Sequence, residues 1–159
     1  MHSTAPSFWL SRFVEDIRVV APILGRAPNV DRLPDGRTTL VFRVFDGGQR
    51  GDVTVLGPRT RALFKDATGV ARALFVQFKP GWSAPLLGVA TNELTNRFVK
   101  LEDIWGRSGT DLCLELLEAR GLSDALNRIS RAIALRSPER FESASAHLAR
   151  RAVRLLEGE

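Results

Sequence analysis

The run Thr38-Thr39-Leu40-Val41-Phe42-Arg43-Val44-Phe45 decides how this chain folds. It is rich in β-branched and aromatic residues, the composition of a strand. Its side chains alternate between an apolar set (Leu40, Phe42, Val44) and a mixed set (Val41, Arg43, Phe45). Neighbouring residues of an extended chain point to opposite faces, so one face of this strand belongs in a core. Pro34-Asp35-Gly36 leads into it as a turn, because proline fixes φ and glycine accepts positive φ. Asp46-Gly47-Gly48 closes it.

Working outward, the same grammar repeats. A short strand is expected at Asp52–Leu56, then a Gly57-Pro58 turn, a strand at Thr60–Lys65 and a further turn at Asp66–Gly69. The last strong strand is Arg72–Lys79, stopped by Pro80-Gly81. Its faces are Leu74, Val76 and Phe78 on one side, and Phe75, Gln77 and Lys79 on the other. Four or five short strands with tight turns predict an antiparallel sheet, sandwich or small barrel.

Beyond residue 82 the period changes to that of helices. Leu112, Leu116 and Ala119 share one face, with Gly121 as a C-terminal stop. Ser123-Asp124 offers an N-cap to a helix carrying Leu126, Ile129 and Ile133. Ser137-Pro138-Glu139 starts a third helix, in which Phe141, Ala144, Leu148, Ala152 and Leu155 form an apolar stripe. That stripe either packs on its own domain or meets a second copy; Phe141, Leu148 and Leu155 are the candidate interface residues. Residues 83–105 read as short helical turns. The whole predicts one α+β domain over 1–159, with a β part at about 15–82 and a helical part at about 83–158.

Composition narrows the function. The chain has 159 residues, 44% hydrophobic and 26% charged, within the ordinary globular range. No stretch approaches the roughly 18 apolar residues of a membrane span. The N-terminus lacks the pattern of a secretory signal, and the single Cys113 cannot form an internal disulfide; both suit a cytoplasmic protein. The net charge of +5 comes from the first half, where 12 Lys and Arg oppose 7 Asp and Glu. These basic residues are scattered through strands and turns rather than gathered on a helix, a poor match to a DNA reader.

Catalytic and metal chemistry lack the residues they need. A metal in a small β-barrel usually takes two or three His and a carboxylate, and the chain has only His2, in an N-terminal arm, and His147, in a helix. A Cys113–His147 pair is conceivable, although Cys113 adjoins an apolar helix face and reads as a small core side chain. Glu102 and Asp103 are adjacent and point to different faces, as a solvated helix start does. Asp46-Gly47-Gly48 with Gly51 lacks the Lys-Ser/Thr of a phosphate loop. The expectation is therefore a binding protein with no enzymatic activity, metal or cofactor. The mixed faces of the two strong strands fit either a solvated sheet surface or the lining of a ligand cavity. Arg43, Phe45, Phe75, Gln77 and Trp82 are the candidate ligand-binding residues.

Four segments occur in a characteristic order: LPDGRTTLVF (33–42), VLGPRTR (55–61), VQFKPGWSAPLLGV (76–89) and ELTNRFVKLEDIWG (93–106). In this order they resemble the N-terminal domain of AraC-type bacterial transcription regulators, over roughly residues 12–157. The resemblance implies a cupin-like β-barrel followed by helices, acting as an effector-sensing and often dimerising module. It also implies a small-molecule effector, a homodimer through the C-terminal helices, and DNA contact only through a further C-terminal pair of helix-turn-helix units. The sequence ends at Glu159, where a linker to such units is expected to begin. The alternative is a stand-alone cupin-like small-molecule-binding or scaffold protein.

Overall fold

A computed structural model describes residues 2–4, 10–21, 29–136 and 144–158. Among these residues there are eight strands: β1 (His2–Thr4), β2 (Val14–Val20), β3 (Asn29–Arg32), β4 (Thr39–Phe45), β5 (Gly51–Leu56), β6 (Leu63–Asp66), β7 (Val70–Phe78) and β8 (Phe98–Lys100). The helices are α1 (Ser83–Leu87), α2 (Leu101–Trp105), α3 (Arg107–Leu117), α4 (Leu122–Ala134) and α5 (Ala144–Glu157), with single 3-10 turns at Leu10–Arg12 and Thr91–Leu94. The fold is α+β, as expected: antiparallel sheets in the N-terminal half, followed by helices.

Six strands form the main sheet, in the order β1-β2-β7-β4-β5-β8, and every pairing is antiparallel. β3 and β6 form a separate two-stranded sheet. The β4–β5 connection is the expected tight turn. Phe45 accepts from the Gly48 amide at 2.9 Å, and Gly47 and Gly48 both take positive φ.

Alternation along the strands gives the sheet two different faces. Leu40, Phe42 and Val44 of β4, Val53 and Val55 of β5, and Leu74, Val76 and Phe78 of β7 lie in one large core. Helices cover that inner face with Leu101, Trp105, Leu112, Leu116, Ile129 and Ile133. Burying these side chains stabilises the fold by roughly 1.5–3 kcal/mol each. The opposite, outer face holds a small second cluster of Val41, Leu56 and Ala73, with Val70 and Phe75 packed against it.

Several expectations need correction. The strand expected at Thr60–Lys65 starts later, at Leu63, and pairs with β3 rather than with the main sheet. Thr60 is held instead by Asn96, whose Oδ1 accepts from the Thr60 amide at 3.0 Å and whose Nδ2 donates to its hydroxyl at 2.7 Å. The boundary near 82 is not clean, because β8 lies beyond it and extends the sheet edge beside β5. His2 is not in a loose arm, since β1 pairs with β2. β2 itself was not visible as a strand, because Glu15, Asp16 and Arg18 interrupt its apolar alternation.

The helices differ at their ends. α3 stops at Leu117, and Gly121, with φ of +138°, opens α4 instead of closing α3. Asp124 is not the N-cap residue; it sits in the first turn of α4, where its carboxylate accepts from the Arg120 amide at 3.0 Å and from Arg128. An anion there also meets the positive end of the helix dipole. The expected start of α5 at Ser137-Pro138-Glu139, and Phe141 with it, lie outside the described residues.

The four segments that carry the resemblance meet one another as joints of this scaffold. Asp35 and Arg59 exchange backbone hydrogen bonds, at 3.0 and 2.8 Å, and so link the Pro34-Asp35-Gly36 turn to Gly57–Thr60. The Asp35 carboxylate grips Arg32 of β3 through both oxygens. The Gly57 amide donates to the Arg97 carbonyl, and a side chain at 57 would collide with the Leu94 carbonyl oxygen. Only glycine lets β5 pass so close to the 91–97 turn. Trp105 donates its indole N–H to the Leu87 carbonyl at 3.2 Å, tying α2 to α1.

Candidate functional site

The strand register sets out the outer face row by row. Lys100, Thr54, Val41, Phe75 and Arg18 lie side by side across β8, β5, β4, β7 and β2. The next rows are Phe98, Leu56, Thr39, Gln77 and Asp16 on one side, and Asp52, Arg43, Ala73 and Val20 on the other. Its apolar part is central, where Val41, Ala73 and Phe75 adjoin Leu56, while Asp16, Arg18 and Gln77 make the β2 side polar.

Over this apolar part lies the small sheet. Leu63 and Lys65 of β6 turn towards the main sheet, whereas Phe64 between them is 73% exposed. Between the two layers a cavity of about 180 Å³ remains, walled by Val41, Leu56, Ala73 and Phe75 from the main sheet and by Leu63 and Phe98 at its sides. Arg43, Phe45, Thr54 and Lys65 also line it, and Ala67, Thr68 and Val70 at the β6–β7 turn complete the wall.

The polar groups of this cavity are few and individually distinguishable. Arg43 is committed: its Nε donates to Asp52 Oδ1 at 2.8 Å and its Nη2 to Oδ2 at 2.5 Å, a two-pronged pair across the β4–β5 rung. Its guanidinium also lies 5.6 Å from the Phe45 ring centre. Lys65 has no carboxylate partner among the described residues; its ammonium stands 4.9 Å from the Phe98 ring centre, on which Arg59 also bears at 5.8 Å. Thr54 is buried, and its hydroxyl has no hydrogen-bond partner among the described residues. A buried hydroxyl without a partner carries a cost of roughly 1–3 kcal/mol.

The five candidate ligand-binding residues divide. Arg43, Phe45 and Phe75 share the cavity wall. Gln77 is on the same face but outside the cavity, where its Oε1 accepts from Arg18 at 3.3 Å and Arg18 also pairs with Asp16. Trp82 is on the other side of the sheet. It meets Phe13 edge-to-face at 4.8 Å and lies under the Arg150 guanidinium at 4.2 Å. Arg150 also donates to the Gly81 carbonyl at 3.2 Å, which docks α5 on the Pro-Gly-Trp turn. Burial there, with Arg154 nearby, lowers the Arg150 pKa.

Leu56, Leu63, Lys65, Ala73 and Phe98 belong to the cavity and were missed. Leu56 and Ala73 follow from the alternation of their strands. Lys65 and Phe98 were not accessible that way, because β6 pairs away from the main sheet and β8 interrupts a helical stretch.

A smaller hollow of about 110 Å³ lies on the inner face, between Phe42 and Leu74 of the sheet and Leu116, Leu122 and Ala125 of the helices. Its wall includes the Arg72 side chain, but the outer cavity is larger and gathers more polar side chains, Arg43, Thr54, Lys65 and Thr68, and is therefore the candidate site.

Cys113 lies against the β5 edge, with its thiol 3.6 Å from the Gly51 carbonyl. Burial, followed by the negative charge of Asp52 and Glu102, raises its pKa, the opposite of what activates a nucleophile. The His147 side chain lies outside the described side chains, so a Cys113–His147 pair has no geometry to examine. Among the described residues, no three His, Cys, Asp or Glu side chains gather in a way that could hold a metal ion. Glu102 and Asp103 are exposed in the first turn of α2, as expected of a solvated helix start.

The geometry describes a class: a small α+β protein with a two-layered β part and a compact, mainly apolar cavity beneath its minor sheet. Residues 2–100, more than half of the chain, match the family described as "Domain of unknown function (DUF6597)", and the chain belongs to that family. Comparison with curated proteins gives no match, and comparison with solved structures gives none.

Proposed function

We propose that this chain is the effector-sensing domain of an AraC-type bacterial transcription regulator, working by binding rather than catalysis. The observation that supports it best is the cavity between the two β layers, where Arg43, Phe45 and Phe75 converge with Lys65 and Thr54. A mainly apolar hollow with a few placed polar groups is the usual form of a small-molecule site. The four ordered segments of the resemblance support the same reading. In it, the protein works in the cytoplasm, and DNA is contacted through a further C-terminal domain. No helix among the described residues is long and apolar enough to cross a membrane.

A ligand can regulate only through a difference in its affinity for two states of the protein. The cavity is walled by β6 and by Phe98 of β8, and β8 runs directly into α2. Filling the cavity would thus favour one placement of the β8–α2 segment, a route from ligand to helices. Thermal-shift screening of the chain against a metabolite library tests the reading. Stabilisation by a small molecule whose nuclear Overhauser contacts fall on Val41 and Leu56 is the expected result. A protein that no small molecule stabilises would defeat it.

A second reading, dimerisation through α5, has its own observation. Leu148 and Leu155 of the C-terminal stripe are 61% and 71% exposed, so the described residues leave these two uncovered. Sedimentation should then show a dimer that Leu148→Glu and Leu155→Glu dissociate, and a monomer at high micromolar concentration would exclude it.

A further inference from the structure

We infer that the outer cavity is a site for a one-ring carboxylic acid, its ring among Val41, Leu56, Ala73 and Phe75 and its carboxylate on Lys65. This deepens the sensing proposal and rests on it. Size limits the ligand first. A dry apolar cavity of about 150 Å³ accepts a benzene ring. The cavity here measures about 180 Å³, which is space for one ring and one small substituent within its walls.

Polarity limits it further. A sugar of similar volume needs a hydrogen-bond partner for most of its hydroxyls. Here Arg43 and Asp52 satisfy each other, and much of the remaining wall is aliphatic or aromatic. The uncompensated groups are the Lys65 ammonium and the Thr54 hydroxyl. Arg59 brings a second positive charge to Phe98, 5.8 Å from the ring centre and without a carboxylate partner among the described residues. A cationic ligand would be repelled there and a neutral one would leave Lys65 unused, whereas an anion completes it. Charge-assisted hydrogen bonds of this kind contribute about tenfold or more in affinity.

Three probes on the full 159-residue chain test the assignment: sodium benzoate, benzyl alcohol and cyclohexanecarboxylate, followed by protein–ligand Overhauser spectroscopy and titration. Benzoate should show contacts to the methyls of Val41 and Leu56, and should bind about tenfold more tightly than benzyl alcohol. Lys65→Met, at a solvent-accessible cavity-wall residue outside both apolar clusters, should remove that difference by weakening benzoate alone. Thr54→Val, nearly equal in shape, is the second variant and should weaken both acids by severalfold less than Lys65→Met. Cyclohexanecarboxylate should bind within severalfold of benzoate, since the apolar wall asks for a ring and not for aromaticity.

Benzyl alcohol entering the cavity as tightly as benzoate, or benzoate unaffected by Lys65→Met, would overturn the acid assignment and leave sensing intact. Contacts from benzoate to Leu116 and Leu122 would overturn it by moving the ligand to the inner hollow. If none of the three probes enters, the acid assignment falls. Sensing falls with it only if the metabolite library also fails to stabilise the chain.

Discussion

The two faces of the main sheet are built from alternate residues of the same strands, yet they do different work. On the inner face Leu40, Val76 and Phe78 are almost completely buried in the core that the helices cover, and the 110 Å³ hollow lies beside them at Phe42 and Leu74. On the outer face Val41 and Ala73 belong to a cluster too small to fill the space under β3 and β6, and a 180 Å³ cavity remains. A long helix can lay a continuous apolar stripe on a sheet, whereas the short strand β6 presents two inward side chains, Leu63 and Lys65. The lesson is that cover, more than composition, separates core from cavity.

Substituting one aromatic on each face puts this contrast at risk. Phe78→Ala should cost about 3–5 kcal/mol in urea unfolding, the range for emptying a tightly packed aromatic site. Phe75→Ala, one cavity wall away from open space, should cost about 1–2 kcal/mol, since less packed surface is lost. Equal losses would mean that the outer face is as closely packed as the inner one.

Gly57 ties the outer-face end of β5 to the 91–97 turn. Gly57→Ala should lower stability by about 1–3 kcal/mol, the usual result of forcing atoms into filled space. The same variant should shift the amide resonances of Phe98 and Arg97 before those of β2. Unperturbed resonances at 97–98 would show that this joint does not position the β8 side of the cavity.

The ion pair on the outer face sharpens the comparison at a lower level of energy. Asp52→Ala should cost about 1 kcal/mol, because the pair is partly exposed and water screens it. It should also free the Arg43 guanidinium and so raise the affinity for benzoate. A Tm unchanged in low salt would show that the pair adds nothing to folding.

The smallest effect lies on the first turn of α4, away from the cavity. Asp124 has its pKa lowered below 3.8, chiefly by the hydrogen bond from Arg128 and then by the Arg120 amide. A depressed folded-state pKa contributes stability that is present above the unfolded-state value. It is lost as pH falls through the folded-state value. Asp124→Ala should therefore lower Tm slightly at neutral pH and converge with the parent chain in strong acid. Curves that stay parallel down to acid pH would refute the assignment.

How far the sequence could be read depended on whether its signals were local. β4 and β7 were legible with both faces correct, because period-two alternation is a property of the strand itself. So were the apolar positions of α3 and α4, which follow from helical spacing. β8 was hidden because three residues, Phe98–Lys100, are too few for a periodic pattern. Trp82 was misplaced for a related reason: it follows the Gly81 turn, where φ of +78° ends the strand alternation. Past that turn, Phe13 and Arg150 decide which side of the sheet it meets. The motif residues Asp35, Gly57, Asn96 and Trp105 stood out in the sequence as family marks, and in the fold they are joints rather than cavity wall.

By itself the sequence determined the α+β class, the two strong strands with their inner and outer sides, and the placing of Arg43, Phe45 and Phe75 on one face. Only the tertiary structure decided that β6 leaves the main sheet to pair with β3, that β8 returns to its edge, and that Lys65 and Phe98 thereby meet over Val41 and Phe75. The physical reason is range. Alternation and helical spacing arise between neighbours in the chain, whereas a cavity is the space left when segments tens of residues apart fail to fill a gap. No local pattern records it.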